Sequence, residues 1–359
     1  MTPETSSTVL RAAVCGAGMR SRKVWQRHLA ESAGFELVGV MDPAQASLDA
    51  SVEEGHVTAE QTYLELDAML EAVHPDVLVA CPIHTAHAAA VRAGLDAGAH
   101  VLVEKPFATE LSDAVQLTAL AEERGLLVGV VQNWRTKSAG KALRAAIEAG
   151  RIGEVSHIAF RYLRDREKPH LPDYLFEEED PLLYAMAIHH FDLFRYALGQ
   201  EIVRVSGHAA RPRWSRYRDN SINDLWMETD GGVVISYVAS FSSRNAHIPQ
   251  ESLQVEGELG TLYNESAYFE PPLMLSLRDD AEPVDLTKDV EIRDQQGQYD
   301  LADGEVLLDF HAAVTTGSPL ISPARENLGT LAVIDAARRA LHEDGPVAVE
   351  IPEASKRLA

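Results

Sequence analysis

Short apolar runs separated by glycine dominate the first third of the chain. Residues 10–15, 35–41, 76–80, 101–103 and 126–131 are nearly continuous in Val, Leu, Ile, Ala, Phe and Gly. Runs of that length without polar alternation read as strands buried on both faces of a parallel sheet. Between them lie stretches of helical periodicity: 21 to about 33, 62–73, 85–97 closed by Gly98, and 112–124. A strand–helix–strand rhythm of this kind builds a doubly wound α/β domain with right-handed crossovers. The second half changes character. A helix over 138–149, closed by Gly150, precedes a strand over 152–162 and a loop over 164–179. Asp180-Pro181 then reads as an N-cap followed by proline at the first helical position. The helix over 182–198 stops at Gly199. Alternating strands follow at 202–210, 224–229, 233–241 and 251–257, with turns at Asp230-Gly231-Gly232 and Gly257-Glu258-Leu259-Gly260. No crossover helices separate them, so this sheet is expected to be mainly antiparallel. Residues 279–303 read as an acidic surface excursion, and helices over 306–315 and 325–342 close the chain. The expected boundaries are 1–133 for the first domain and 134–359 for an α+β domain, its last helices free to pack back on the first.

Composition adds exclusions. The chain has 359 residues, 46% of them hydrophobic, enough for two domains with ordinary cores. Its 32 basic and 55 acidic residues give a net charge of −23, a field that disfavours nucleic acid and anionic membranes. Two cysteines, Cys15 and Cys81, exclude a disulfide scaffold and a structural zinc site. Both end apolar strands, which fits small buried residues in a reducing compartment. Residues 1–8 lack an apolar signal core, and no apolar run is long enough to span a bilayer. A cytoplasmic location is the expectation.

The first strand runs into Gly16-Ala17-Gly18-Met19-Arg20-Ser21 and then a helix. This is G-x-G-x-x-S in the strand–turn–helix context of a dinucleotide fingerprint. Gly16 suits the tight turn, Gly18 a close backbone approach to pyrophosphate, and Ser21 the small packing position. The helix N-terminus would supply N–H groups to phosphate. The second strand ends at Asp42, where a carboxylate binds a ribose 2′-hydroxyl and repels a 2′-phosphate. The lesser alternative for Asp42 is a helix-capping or turn acid. With only Arg20 and Arg22 as nearby cations, NAD is the expected cofactor. The strands ending at Cys15 and Cys81 are expected to be neighbours across the switch point, with the cofactor over their ends.

Two further stretches carry candidate chemistry. Glu104-Lys105-Pro106 closes the strand 101–103, so Lys105 is delivered where open parallel sheets bind ligands. There it is a candidate proton-transfer group, provided burial or positive neighbours lower its pKa; otherwise it is a lysine leaving a strand for solvent. His189 and Asp192 share a face of the helix 182–198, where they read either as site residues or as a satisfied core histidine and its structural partner. His84, His87, His189 and His190 come without an acidic cluster, so no metal is expected. Arginines concentrate between 151 and 218: Arg161, Arg164 and Arg166, then Arg211, Arg213, Arg216 and Arg218. Arginine suits carboxylate, sulfonate or phosphate. The alternative is surface pairing with the acids at 177–180.

These motifs together resemble the Gfo/Idh/MocA oxidoreductases, the glucose–fructose oxidoreductase and inositol dehydrogenase group. The resemblance rests on Gly16-Ala17-Gly18 with Asp42, Pro82-Ile83-His84-Thr85-Ala86-His87, the run from Ala97 to Pro106, Asn133-Trp134-Arg135, and His189 to Tyr196. It implies an NAD(P)-binding Rossmann domain, an open-faced sheet domain that often joins copies into dimers or tetramers, and oxidation or reduction of a sugar or polyol. It maps the catalytic lysine to Lys105 and the catalytic histidine to His189. The implied cofactor contacts are Gly16, Gly18, Met19, Arg20, Ser21, Asp42, Pro82, His84, His87, Glu104, Lys105 and Asn133. Candidate substrate contacts are Arg135, Arg164, Arg166, His170, Tyr174, Tyr184 and His190. One departure stands out: many members carry aspartate four residues before the histidine, where this chain has Ala185. The expected activity is an NAD-dependent sugar oxidoreductase, its sugar anionic if the arginines face the cleft. The alternatives are a redox-neutral NAD-dependent glycosidase acting on a uronate or sulfosugar, and a non-catalytic NAD-binding regulator.

Overall fold

The computed structural model describes residues 8–169, 171, 173–244, 247–292, 301–343 and 345–355. They divide into two units: 8–132 with 301–328 and 354–355, and 133–292 with 329–353.

The first unit is built on six parallel strands: β1 (Leu10–Cys15), β2 (Phe35–Met41), β3 (Thr62–Tyr63), β4 (Val77–Ala80), β5 (His100–Val103) and β6 (Val128–Val130). Their order is β3-β2-β1-β4-β5-β6, which puts the reversal of direction between β1 and β4. These two strands pair in parallel with Cys15 opposite Ala80. All four residues of β4 are fully buried, which is why the sequence is continuously apolar there. The sheet packs on Trp25 and Leu29 from one side of the sequence and on Phe310 from far downstream. Phe310 lies on the helix Leu301–Thr316, whose start overlaps the expected acidic excursion. Asp303 at that start is fully buried, so the excursion ends earlier than its composition suggests. Two local readings also change. Residues 62–73 are not one helix: β3 takes the first two, and the helix is Leu66–Val73. A helix at Gln45–Glu53, not expected, buries little beyond Leu48 and Ser51.

The second unit holds a nine-stranded sheet: β7 (Val155–Leu163), β8 (Ile202–Ala210), β9 (Ile222–Thr229), β10 (Val234–Ser240), β11 (Glu251–Gly257), β12 (Gly260–Asn264), β13 (Met274–Leu277), β14 (Val284–Asp285) and β15 (Val347–Ala348). The order is β14-β13-β12-β11-β7-β10-β9-β8-β15. Every pairing is antiparallel except β7 with β10. Alternation shows that one face is covered: Asn223, Leu225, Met227 and Thr229 of β9 point inward, while Trp226 is 39% exposed on the other face. The helix Ile188–Leu198 belongs to the buried layer. Asp180 precedes it with φ 43°, but its carboxylate meets His342 Nε2 at 3.1 Å instead of capping the helix. Among the described residues no helix is long and apolar enough to cross a membrane.

Candidate active site

In the first unit the turn after β1 is tight because β1 and β4 are adjacent. Gly16 has φ +96°, and a Cβ there would sit 2.3 Å from the Cys81 carbonyl oxygen. Gly16→Ala is therefore expected to lower stability by about 1–3 kcal/mol and to weaken NAD binding, as thermal unfolding and NAD titration would read. Gly18 is exposed, and a Cβ on it would meet nothing within 4 Å. The helical segment from Ser21 has no side-chain cap, and Arg22 N–H already donates to Gly18 O at 3.0 Å, so a phosphate would have to be met by the N–H groups of the turn before it. Ser21 itself is fully buried under a wide π-helical turn and accepts from Gln26 Nε2 at 3.1 Å. Met19 and Ile83, 72% and 74% exposed, follow β1 and β4. These two apolar side chains offer flat-ring contacts beside the open ledge. The fingerprint already marked Met19; Ile83 was not singled out, although an exposed large apolar residue next to such a motif is a signal.

Asp42 is half-buried, and its oxygens accept from Ala17 N–H at 2.8 Å and Ala44 N–H at 2.9 Å. It is thus a turn acid in this structure. Its remaining lone pairs still leave it capacity for ribose hydroxyls. These features fit a bound dinucleotide.

Several expected ligand contacts are instead braces. Glu104 Oε1 accepts from Arg20 Nε at 2.7 Å and Trp25 Nε1 at 3.0 Å, and Oε2 accepts from Lys105 N–H at 3.2 Å. Burial would raise the Glu104 carboxyl, but Arg20, Lys105 and the Trp25 hydrogen bond together outweigh burial and hold it below the usual range. Arg20 also binds Asp303 Oδ1 at 2.8 Å. So Arg20 and Glu104 neutralise each other and set the backbone that carries Lys105. His87 is 2% exposed, with Nδ1 2.6 Å from the Pro106 carbonyl and Nε2 3.3 Å from that of Pro82. Burial lowers its pKa, so the neutral ring has one N–H, which the shorter contact claims. His87 therefore ties the Lys105-Pro106 turn to the end of β4. His84 is exposed; Pro82 and Lys105 are half-buried. The thiols of Cys15 and Cys81 are pushed up by burial, Cys15 to about 12, and are inert.

The second unit sorts its candidates just as sharply. Arg135 is 1% exposed, and its Nε and Nη2 hold both oxygens of Asp192 at 2.7 and 2.8 Å. A guanidinium committed this way is structural, not a substrate contact. His190 is fully buried, with Nδ1 2.9 Å from Tyr237 Oη and its ring among Trp134, Phe160 and Tyr162. It too belongs to the core. His189 is 8% exposed and stacks on Trp134 with centroids 5.9 Å apart. Asn133 is half-buried in the short turn that carries Trp134. Tyr184 and Ala185 are half-buried on a π-helical turn, Leu183–Ala187, a geometry common at functional sites. His170 and the Tyr174 side chain lie outside the described residues.

A cavity of about 630 Å³ opens in this unit, a size suited to a small molecule. Its wall includes Arg164, Arg166, Lys168 and Arg244 against the carboxylates of Asp165 and Glu178, with Tyr217, Phe241 and Tyr268 as aromatic surface. Ala185 lines the same cavity. Residues 164–166 run extended beside the end of β10, Arg164 N–H donating to Ser240 O and Arg166 N–H to Phe241 O. Alternate residues of an extended chain share a side, which places both guanidiniums together. Asp165 is held by Arg244 at 2.9 Å and Lys168 at 3.2 Å. Arg164 is 9% exposed, lies 3.7 Å over the Tyr268 ring, and has Nε and Nη2 buried without a hydrogen bond. Arg166 lies over Phe241 and makes no ion pair among the described residues. The arginine cluster is therefore split. Arg211, Arg213, Arg216 and Arg218 are exposed, with Arg216 on Asp173 and Arg218 on Glu177. Arg244 and Tyr268 escaped the sequence reading because neither stands in a motif.

Comparison with known proteins agrees with this architecture. Residues 10–132 match the Gfo/Idh/MocA oxidoreductase family, NAD-binding Rossmann fold, and residues 141–263 match the Gfo/Idh/MocA C-terminal domain. An uncharacterized protein of Sinorhizobium fredii is 26% identical over 230 residues, 63% of this chain and 64% of its own length. Inositol 2-dehydrogenase 1 of Saccharopolyspora erythraea is 27% identical over 350 residues, 96% of this chain and 97% of its own. An Agrobacterium radiobacter oxidoreductase, solved with NAD+, L-tartaric acid and magnesium, superposes with a TM-score of 0.83 at 18% identity, covering 95% of this chain and 98% of that one. With both domains matched in order along one chain, the protein belongs to the Gfo/Idh/MocA family of NAD-binding oxidoreductases.

Proposed function

We propose that the protein transfers a hydride between NAD and a hydroxyl-bearing carbon of an anionic sugar. Lys105 takes or returns the hydroxyl proton, and His189 is its partner or relay. The cofactor supplies the hydride acceptor. The observation that carries the substrate class is the cavity wall, where Arg164 and Arg166 stand without carboxylate hydrogen bonds. A uronate or sulfonate would complete them. NAD is favoured over NADP because Asp42 sits at the fingerprint turn and the nearby cations are taken: Arg22 by Glu54 at 3.0 Å, Arg20 by Glu104 and Asp303.

Ala185 in that wall supports a second reading, a redox-neutral glycosidase. There, hydride removed from the sugar acidifies the neighbouring C–H, the aglycone is expelled by elimination, water adds, and the hydride returns. Incubation with NAD and a panel of neutral, uronate and sulfonated sugars and aryl glycosides separates the two. NADH formed in proportion to an anionic sugar is the expected result. Aglycone release that needs NAD but leaves no NADH selects the glycosidase. Turnover confined to neutral sugars overturns the anionic class.

A further inference from the structure

Behind Arg164 stands a carboxyl group that no motif marked. Glu251 opens β11, opposite Tyr162 of β7, and is 1% exposed. Its Oε2 accepts from Tyr268 N–H at 2.9 Å and lies 3.9 Å from Arg164 Nη2, while Oε1 has no hydrogen-bond partner. Tyr268 and Phe269 have φ 59° and 56°; in this turn Tyr268 N–H is aimed at Glu251 while Phe269 N–H donates to Ser266 O at 3.3 Å. The same Tyr268 ring lies over Arg164. One guanidinium, one carboxyl and one aromatic ring are thus locked together at the cavity wall. We propose that Glu251 is the proton-carrying counter-ion of the Arg164 site, so that the acid group of the substrate enters as a solvent proton goes onto Glu251. This rests on the anionic-sugar reading above.

Two negative groups beside one buried guanidinium repel each other, and Glu251 cannot leave because β11 and the turn hold it. Neutralising it is the remaining way to relieve that repulsion. Its other charged and titratable neighbours leave the balance near neutrality: Tyr162 on β7, Tyr237 on β10, Tyr268 in the turn, and Lys137, which is itself paired with Glu270. Burial pushes the Glu251 carboxyl up to about 7. Below that pH the group is already protonated and affinity for an anion is flat. Above it, each bound anion must bring a proton, and affinity falls by up to about tenfold per pH unit.

The test uses the full chain with NAD, a methyl uronide and its neutral methyl glycoside as probes, and calorimetry in buffers of different ionisation enthalpy. Near pH 8 the uronide is expected to bind with uptake of close to one proton, with its affinity relative to the neutral glycoside falling from pH 7 to 9. Glu251→Gln, which keeps an acceptor for Tyr268 N–H, is expected to abolish both effects. Uronide binding without proton uptake in the wild type, or uptake unchanged in Glu251→Gln, overturns the proposal while leaving the anionic-sugar reading standing. A uronide that binds no better than the neutral glycoside at any pH overturns both. The proton count on the wild type decides the matter even if the variant folds poorly.

Discussion

Replacing Lys105 by methionine is expected to lower turnover by about 10³-fold while leaving NAD affinity nearly unchanged. The expectation follows from placement. β5 runs from His100 into three buried apolar residues, and the chain leaves it through Glu104, whose carboxylate is fixed by Arg20, Trp25 and the Lys105 N–H. His87 fixes the other side of the turn through Pro106 O. Lys105 is therefore a half-buried amine on a backbone clamped from two directions, at the strand ends where doubly wound sheets bind ligands. Proton transfer by a positioned side chain contributes on the order of 10²–10⁴-fold. Methionine keeps the aliphatic length and removes only the ammonium, so a fall in kcat with unchanged NAD titration isolates the proton role. Lys105→Arg keeps the charge but cannot give up its proton, and is expected to be as slow as the methionine variant. If either variant turns over at the wild-type rate, Lys105 is not the proton-transfer group.

Sequence made the first sheet legible, its edge strand β3 excepted, because burial on both faces leaves little room for polar residues in the other strands. It concealed the rest for definable reasons. The helix Gln45–Glu53 buries so little that it leaves no periodic trace, and β3 and β12–β15 are short strands at or near the sheet edges. Lys105 and His189 were singled out by motifs, as residues proposed to handle the proton. Arg135 and His190 sit in motifs too, but their partners, Asp192 and Tyr237, are fixed by packing across 57 and 47 residues of chain. Asp303 reaches Arg20 across 283 residues, a pairing no local pattern reports. Glu251 depends on sheet register: it faces Arg164 because β11 and β7 align Glu251 with Tyr162. The arginine cluster was visible as composition, but only the extended course of 164–166 beside β10 separates the two cavity residues from their exposed neighbours.

Arg164→Gln is expected to raise KM for an anionic sugar by two to three orders of magnitude and to leave that of a neutral sugar within about threefold. Truncating one partner of a desolvated charge pair costs about 2–5 kcal/mol, which is on the order of 30- to several-thousand-fold. The wall around Arg164 puts it in that class. The Arg164 side chain is 10% exposed, its guanidinium is braced by Tyr268 and Tyr162, and two of its nitrogens are buried without a hydrogen bond. Arg166, over Phe241 at 5.6 Å and less constrained, is expected to matter by about tenfold less. Loss of Arg164 should not unfold the unit, because Glu251 can take a proton and remain buried as a neutral acid. Ala185→Asp supplies the complementary arm. It puts a carboxylate into the wall of the same cavity, where like charge repels an anionic ligand and leaves a neutral polyol unaffected or better bound. A wild type that prefers anionic sugars and an Ala185→Asp variant that prefers neutral ones would assign specificity to the charge balance of this wall. Equal losses for both sugars in Arg164→Gln would instead make Arg164 a packing residue, and the anion would have to be recognised elsewhere.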